Sequence, residues 1–275
     1  MSFGPLVDID WLREELGRSD LRVVDCRWKL GQPGAGHAAY VAGHIPGAAF
    51  LDLDTDLTDP PGERGRHPLP QLERFEAAAR AAGISSDTYV VACDEAGEGG
   101  AARLWWLLRH FGHEAVAVLD GGVAGWRAAG AGLVCGEERP APGDFTAAPR
   151  EGDTASAEEI ESGAQLTLID ARAPERYAGR VEPIDPVAGH IPGAANAPFG
   201  ELAPDGRHLP PDELRERLES AGASPGGEFV AYCGSGVSAC TLVLAAELAG
   251  LRARLYPGSW SEWCARGGDV ETFRE

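Results

Sequence analysis

The chain has 275 residues, 44% of them hydrophobic, which is enough for two domains with separate cores. Its 43 acidic residues against 24 basic ones leave a net charge of −19, spread along the chain without a tail-like block. Such a surface repels phosphate backbones and anionic membranes, which argues against nucleic acid or membrane partners. The start Met1-Ser2-Phe3-Gly4-Pro5 has no basic segment followed by an apolar one, and no stretch approaches the length of a membrane span, so a soluble, cytoplasmic protein is expected. Six cysteines (Cys26, Cys93, Cys135, Cys233, Cys240, Cys264) include no CxxC pair and no His/Cys cluster with zinc spacing. Reduced thiols are expected, with neither disulfides nor a structural metal.

Along the chain, the first half alternates short apolar runs with amphipathic ones. Strands are predicted at Arg22 to Asp25, Ala48 to Leu51, Tyr89 to Cys93 and Ala115 to Leu119, with helices at Leu72 to Ala82 and Ala101 to Phe111. Strands that alternate with helices predict a largely parallel sheet with helices on both faces. The stretch 135–151 holds Gly136, Pro140, Pro142, Gly143 and Pro149 among polar residues, the composition of an extended linker. In the second half an apolar run, Phe229 to Tyr232, is followed by Cys233-Gly234-Ser235-Gly236-Val237-Ser238-Ala239 and then by the helical run Thr241 to Ala249.

The two halves repeat one another. Val23-Val24-Asp25-Cys26-Arg27 is echoed by Leu168-Ile169-Asp170-Ala171-Arg172, and Gly43-His44-Ile45-Pro46-Gly47-Ala48 by Gly189-His190-Ile191-Pro192-Gly193-Ala194, 145 or 146 positions later. Asp120-Gly121-Gly122-Val123-Ala124-Gly125-Trp126 answers the stretch from Tyr256 to Trp263. The fold class is therefore α/β in two tandem domains: an N-terminal one over 1–134, the linker over 135–151 and a C-terminal one over 152–275.

A cysteine between a strand and a helix, in a loop with two glycines, sits where backbone amides and the helix dipole stabilise a thiolate and hold an anion. Cys233 is thus the expected nucleophile, and the other five cysteines are read as structural or incidental. Aligning the strands sets Asp94 of Asp94-Glu95-Ala96-Gly97-Glu98-Gly99-Gly100 opposite Cys233. Carboxylates in that loop repel the anion the other loop attracts, so the N-terminal domain is expected to be catalytically silent. His44 and His190, present in both halves, read as structural, and Trp105, Trp106, Trp126, Trp260 and Trp263 as core aromatics.

With Gly-His-Ile-Pro-Gly-Ala in both halves, the Cys233 loop and Gly258-Ser259-Trp260, the chain resembles the tandem-domain rhodanese family of sulfurtransferases, and its loop looks like the 3-mercaptopyruvate sulfurtransferase type. Thiosulfate enzymes of that family typically carry basic residues where this chain has Gly234 and Ser235. The resemblance implies sulfur transfer from 3-mercaptopyruvate through a Cys233 persulfide to a thiol, thioredoxin or cyanide, with pyruvate released and no cofactor. It assigns Ser235, His67 and Asp54 to a relay beside Cys233, Arg176 to the donor carboxylate, and Gly234, Gly236, Val237 and Ser238 to the anion-holding loop. Arg176 also has the simpler option of pairing with Glu175 or Glu182. The family's mercaptopyruvate enzymes usually have a second arginine after a Glu-Pro, but Glu182-Pro183 is followed by Ile184-Asp185. Arg180 is an unaligned substitute, and thiosulfate stays open as donor. A cysteine phosphatase would need an arginine at Ala239, six positions after the cysteine, and is disfavoured. A non-catalytic persulfide carrier or redox module is the remaining alternative.

Overall fold

The computed structural model describes residues 4–162 and 165–273; Met1, Ser2 and Phe3 of the start segment lie outside them. The chain divides into two compact units. The first contains the chain up to Asp59, Leu69–Arg150 and the short Asp205–Arg207; the second contains Pro60–Pro68, Glu151–Pro204 and the chain from His208 onward.

The first unit is built on strands β1 (Leu6–Val7), β2 (Leu21–Asp25), β3 (Ala49–Phe50), β4 (Tyr89–Cys93) and β5 (Val116–Leu119). All pair in parallel, in the order β1-β5-β4-β2-β3. The continuous apolar run of β4 is buried at every residue, as expected of a central parallel strand covered on both faces. Helix Gly100–His110 follows it and is buried from Gly100 to Leu108. The second unit contains β6 (Thr167–Asp170), β7 (Ala195–Asn196), β8 (Glu228–Tyr232) and β9 (Arg252–Leu255), again all parallel, in the order β7-β6-β8-β9. This repeats β3-β2-β4-β5 of the first sheet. Where β1 adds a fifth strand, the second unit has a single parallel bridge from Thr154 to Leu255.

The stretch 135–150 has no helix or strand beyond the Val134 bridge, yet it packs within the first unit: Phe145 is buried against Phe75, and the Ala148 amide donates to the Phe111 carbonyl. Each core has its own apolar cluster, with Leu12, Val91, Ala117 and Trp126 in the first and Leu168, Tyr232, Tyr256 and Trp260 in the second.

The repeated Asp-x-Arg has a clear structural role. At the end of β6 the Arg172 guanidinium donates to both Asp170 oxygens, Nε to Oδ1 at 3.1 Å and Nη2 to Oδ2 at 2.6 Å, and Nη2 also reaches the Gly189 carbonyl at 2.7 Å. Arg27 does the same to Asp25 and Gly43, at 3.1, 2.7 and 2.7 Å. Each buried pair therefore ties a sheet to the Gly-His-Ile-Pro-Gly loop. The histidine of that loop bonds a backbone carbonyl and stacks on a tyrosine in both units: His44 on Tyr40 and His190 on Tyr177.

Removing one partner of a buried pair leaves an uncompensated charge, at a cost of about 3–5 kcal/mol. Asp170→Ala is expected to destabilise the second unit by that amount, read from the denaturant midpoint, and Asp25→Ala the first.

Candidate active site

In the second sheet β6 connects to β7 on one side, and β8 lies on the other, so the crevice at the carboxyl ends of β6 and β8 is a topological switch point, where open α/β sheets bind ligands. Asp170 and Arg172 stand at the end of β6; Cys233 is the residue after β8.

Cys233 is buried, and its Sγ accepts a hydrogen bond from the Gly236 amide at 3.1 Å. The loop closes into helix Ala239–Leu248, whose first eight residues are buried. Gly236 has φ +77°, and a β-carbon there would lie 2.2 Å from the Pro257 carbonyl oxygen, so only glycine fits. Gly234 is a glycine for a different reason from the backbone freedom that sequence suggests. Its φ is not in the left-handed region; a β-carbon would instead lie 3.1 Å from Arg66 Nη2 and 3.4 Å from Arg176 Nη1. Val237 is buried and Ser238 half-buried at the helix entry, their carbonyls accepting from Cys240 and Thr241. Ala239 is fully buried at the first helical position, where a phosphatase would present a guanidinium.

Ser259 is a site residue the sequence did not single out. Its Oγ accepts from the Cys233 amide at 3.1 Å and donates to the Tyr256 carbonyl at 2.9 Å. It adopts φ +52°, uncommon for a non-glycine residue. Gly122 is its counterpart in the first unit, at φ +56°. The Trp260 and Ser261 amides bond the Cys233 and Gly234 carbonyls, just as Val123 and Ala124 bond those of Asp94 and Glu95. The available signals were the Gly-Gly to Gly-Ser change between the repeats and the Gly258-Ser259-Trp260 motif.

These matched bonds set Asp94 in the place of Cys233. Asp94 Oδ1 accepts from the Gly97 amide at 2.7 Å, and Oδ2 from Gly99 and Ala101 at 3.0 and 3.2 Å. The first cradle is thus filled by its own covalently attached anion.

His67 belongs to the second unit through Pro60–Pro68, and its Nδ1 lies 2.7 Å from Ser235 Oγ. Asp54 belongs to the first unit, where its Oδ1 accepts from Trp28 Nε1 at 2.8 Å. Burial, with Asp52 nearby, pushes the Asp54 carboxyl up despite that bond. Arg176 is close to the loop but also ion-paired: Nε and Nη2 grip Glu182 at 3.1 and 2.7 Å, and Nη2 reaches Asp185 Oδ2 at 3.1 Å. Burial of Glu182 is outweighed by Arg176 and by the Asp185 and Ile184 amides, which hold its carboxyl below the ordinary range. Ile184 contributes only that amide, and Arg180 is exposed.

In the Asp94 loop, partial burial, reinforced by Asp94 and Glu95, pushes Glu98 up to about 7 from an ordinary 4.5. A carboxyl raised in the folded state favours folding below its unfolded pKa and loses that contribution as pH rises through the folded one. Glu98→Gln is therefore expected to raise the melting temperature at pH 8, by about 2–4 °C for each kcal/mol recovered, and to leave it unchanged near pH 4.

The rhodanese-like domain model matches the chain twice, over residues 8–129 and 154–266. A Pseudomonas aeruginosa protein provisionally named a 3-mercaptopyruvate sulfurtransferase is 46% identical over 272 residues, 96% of each chain. A Mycobacterium tuberculosis protein, SseB, provisionally named a thiosulfate sulfurtransferase, is 45% identical over 88% of this chain and 87% of its own. Among solved structures, SseA from Escherichia coli, reported for the fold and mechanism of 3-mercaptopyruvate sulfotransferases, superposes with a TM-score of 0.83 at 34% identity, covering 94% of this chain and 100% of its own. With two matched domains on two parallel sheets that share the order of four strands, the chain belongs to the rhodanese family as a tandem-domain member.

Proposed function

We propose that the chain is a sulfurtransferase that takes sulfur from 3-mercaptopyruvate onto Cys233 and passes it to a small thiol, cyanide or a reduced protein thiol such as thioredoxin. The observation that carries this reading is the placement of one thiol, at the head of an amide-lined loop, two residues from a serine hydroxyl bonded to His67. That arrangement supplies a nucleophile and a proton donor to one bound molecule. The names of the Pseudomonas aeruginosa and human relatives, 46% and 35% identical, agree with it.

In the first half-reaction the Cys233 thiolate attacks the donor sulfur. An S–S bond forms, the C–S bond breaks, and its electron pair passes to the departing carbon as the enolate of pyruvate. A proton from Ser235, replaced through His67, converts the enolate to pyruvate. His67 donating from Nδ1 to Ser235 Oγ leaves the hydroxyl hydrogen free to turn toward that carbon. In the second half-reaction the acceptor thiolate or cyanide attacks the outer sulfur, the S–S bond breaks, and Cys233 is regenerated as thiolate.

The outer sulfur of the persulfide carries negative charge one bond beyond Sγ. Asp94 marks the corresponding place: its oxygens collect amides three, five and seven residues on, and Gly236 and Ser238 are three and five residues beyond Cys233. The loop offers no cationic side chain of its own at Gly234 or Ser235, which suits a donor whose charge lies on a distant carboxylate. Thiosulfate is the second reading for the donor, favoured by the name of the 45% identical SseB. Six free cysteines fit a reducing compartment such as the cytoplasm. Among the described residues no helix is long and apolar enough to cross a membrane.

Cys233→Ser is expected to abolish turnover with every donor. Ser235→Ala is expected to lower kcat with mercaptopyruvate by about 10²–10⁴-fold, the usual contribution of a positioned proton donor, while thiosulfate, whose sulfite leaving group needs no proton on carbon, loses far less. Steady-state assays with cyanide as acceptor decide this, and equal losses for the two donors would remove the relay from the mechanism.

A further inference from the structure

We infer that the loop 180–187 of the second unit is the docking surface for a protein acceptor of sulfur, one that presents a reduced cysteine thiol from an apolar face with a carboxylate beside it. This rests on the sulfur-transfer reading above. In the loop the usual arrangement of side chains is inverted. Its two carboxylates turn inward and are nearly buried, Glu182 on Arg172 and Arg176, and Asp185 on Arg66 and Arg176. Its apolar side chains turn outward: Val181, Ile184 and Val187 are 52%, 39% and 40% exposed, with Pro183 and Pro186 exposed beside them. Acids thus take the positions that packing normally gives to valine and isoleucine. A contiguous apolar face held out in water marks a contact surface.

The repeat and the neighbouring thiol indicate what this surface serves. In both units an arginine reaches the first glycine carbonyl of the Gly-His-Ile-Pro-Gly loop, Arg27 to Gly43 and Arg172 to Gly189, so the segments between are equivalent. The first unit runs helix Ala35–Ala42 up to that glycine and exposes Leu30. The second ends its helix early, at Pro174–Tyr177, and two prolines keep the rest extended, so the apolar face belongs to the unit that carries the thiol. Fixed contacts tie the face to that thiol. Asp185 holds Arg66 and Arg176, which stand against Gly234, and the Val187 carbonyl accepts from the Trp260 indole at 2.9 Å while the Trp260 amide bonds the Cys233 carbonyl. Cys233 is buried, so a protein thiol has to be aimed at its outer sulfur by contacts around the site, a need that cyanide and small thiols do not share. Charge points to the same kind of partner. On a chain of net charge −19 the outward face of the loop carries no carboxylate, and the exposed Arg180 guanidinium makes no hydrogen bond or ion pair among the described residues, so a carboxylate on the partner fits it. The salt-bridged acids and the two prolines hold the loop in shape beforehand, which lowers the ordering cost of binding.

The test compares wild type, the double variant Val181→Ser/Ile184→Ser and Arg180→Glu in the full-length protein, with mercaptopyruvate as donor and either cyanide or reduced thioredoxin as acceptor. Thioredoxin is recycled by its reductase and NADPH. Its thiolate takes the outer sulfur, its second thiol closes a disulfide as hydrosulfide leaves, and NADPH oxidation counts the transfers. The double variant is expected to lose about tenfold to a hundredfold in kcat/KM for thioredoxin, the scale of removing apolar anchors from an interface, with cyanide kinetics unchanged. Arg180→Glu is expected to lose about threefold to tenfold at low salt and less at high salt. Unchanged thioredoxin kinetics in both variants, or a wild type that serves cyanide and not thioredoxin, would overturn the docking surface. So would a wild-type dimer in sedimentation that the double variant splits, because the face would then meet a second copy. Calorimetric titration separates this inference from the reading beneath it: reduced thioredoxin bound by wild type and about tenfold more weakly by the double variant, with sulfur passed to neither acceptor, would keep the surface and remove the transfer reading.

Discussion

The buried Asp170–Arg172 pair is the constraint on which the second unit is organised. Both side chains are almost wholly removed from water, so neither charge is tolerable without the other. The guanidinium uses its remaining donors on the Gly189 carbonyl and on Glu182, and its face lies over the Trp260 ring at 4.6 Å. Trp260 in turn bonds the Cys233 carbonyl through its amide. From Glu182 the charges alternate outward through Arg176 and Asp185 to Arg66. One continuous network thus runs from the end of β6 to the side of the cysteine loop.

The duplication shows how little separates the Cys233 loop from the Asp94 loop. Strand order, the Asp-x-Arg pair, the bonded histidine and the two backbone bonds that follow the loop are shared by both units. In the first unit a carboxylate fills the amides and more carboxylates surround it, which is stable but closed to an external anion. In the second, the Cys233 thiol accepts from the Gly236 amide. Even the glycine-to-serine change at position 259 fits, because the Ser259 hydroxyl fixes the Cys233 amide while its backbone keeps the left-handed conformation of Gly122. A strained φ is acceptable there because two hydrogen bonds hold it.

Much of the frame was legible in the chain. Tyr89 to Cys93 and Phe229 to Tyr232 announce central parallel strands because they are apolar without alternation, and their ends locate Asp94 and Cys233. The two loops differ in residue type, which was readable, and also in backbone: Gly97 and Gly99 both have positive φ, whereas in the second loop Gly236 does and Ser238 is at φ −68°. The two-residue β1 was not, since so short a strand exists only through its pairing with β5. Nor was the packing of 135–150, whose Pro- and Gly-rich composition reads as a linker while Phe145 anchors it to a core. For Arg176 the sequence offered both a substrate role and a pairing with Glu182; the pairing is observed, and proximity to Gly234 comes with it.

Local pattern by itself determined the α/β class, the repeat and the place of Cys233 at a strand end, because periodicity, strand-end position and a cysteine beside glycines are properties of a few adjacent residues. Tertiary structure alone decided which charges meet. Arg66 and Asp185 are 119 positions apart, and His67 and Ser235 are 168 apart. They come together because Pro60–Pro68, in the N-terminal half of the sequence, packs with the second unit. Contacts over such separations depend on how whole sheets and loops are placed, and no short-range signal encodes them.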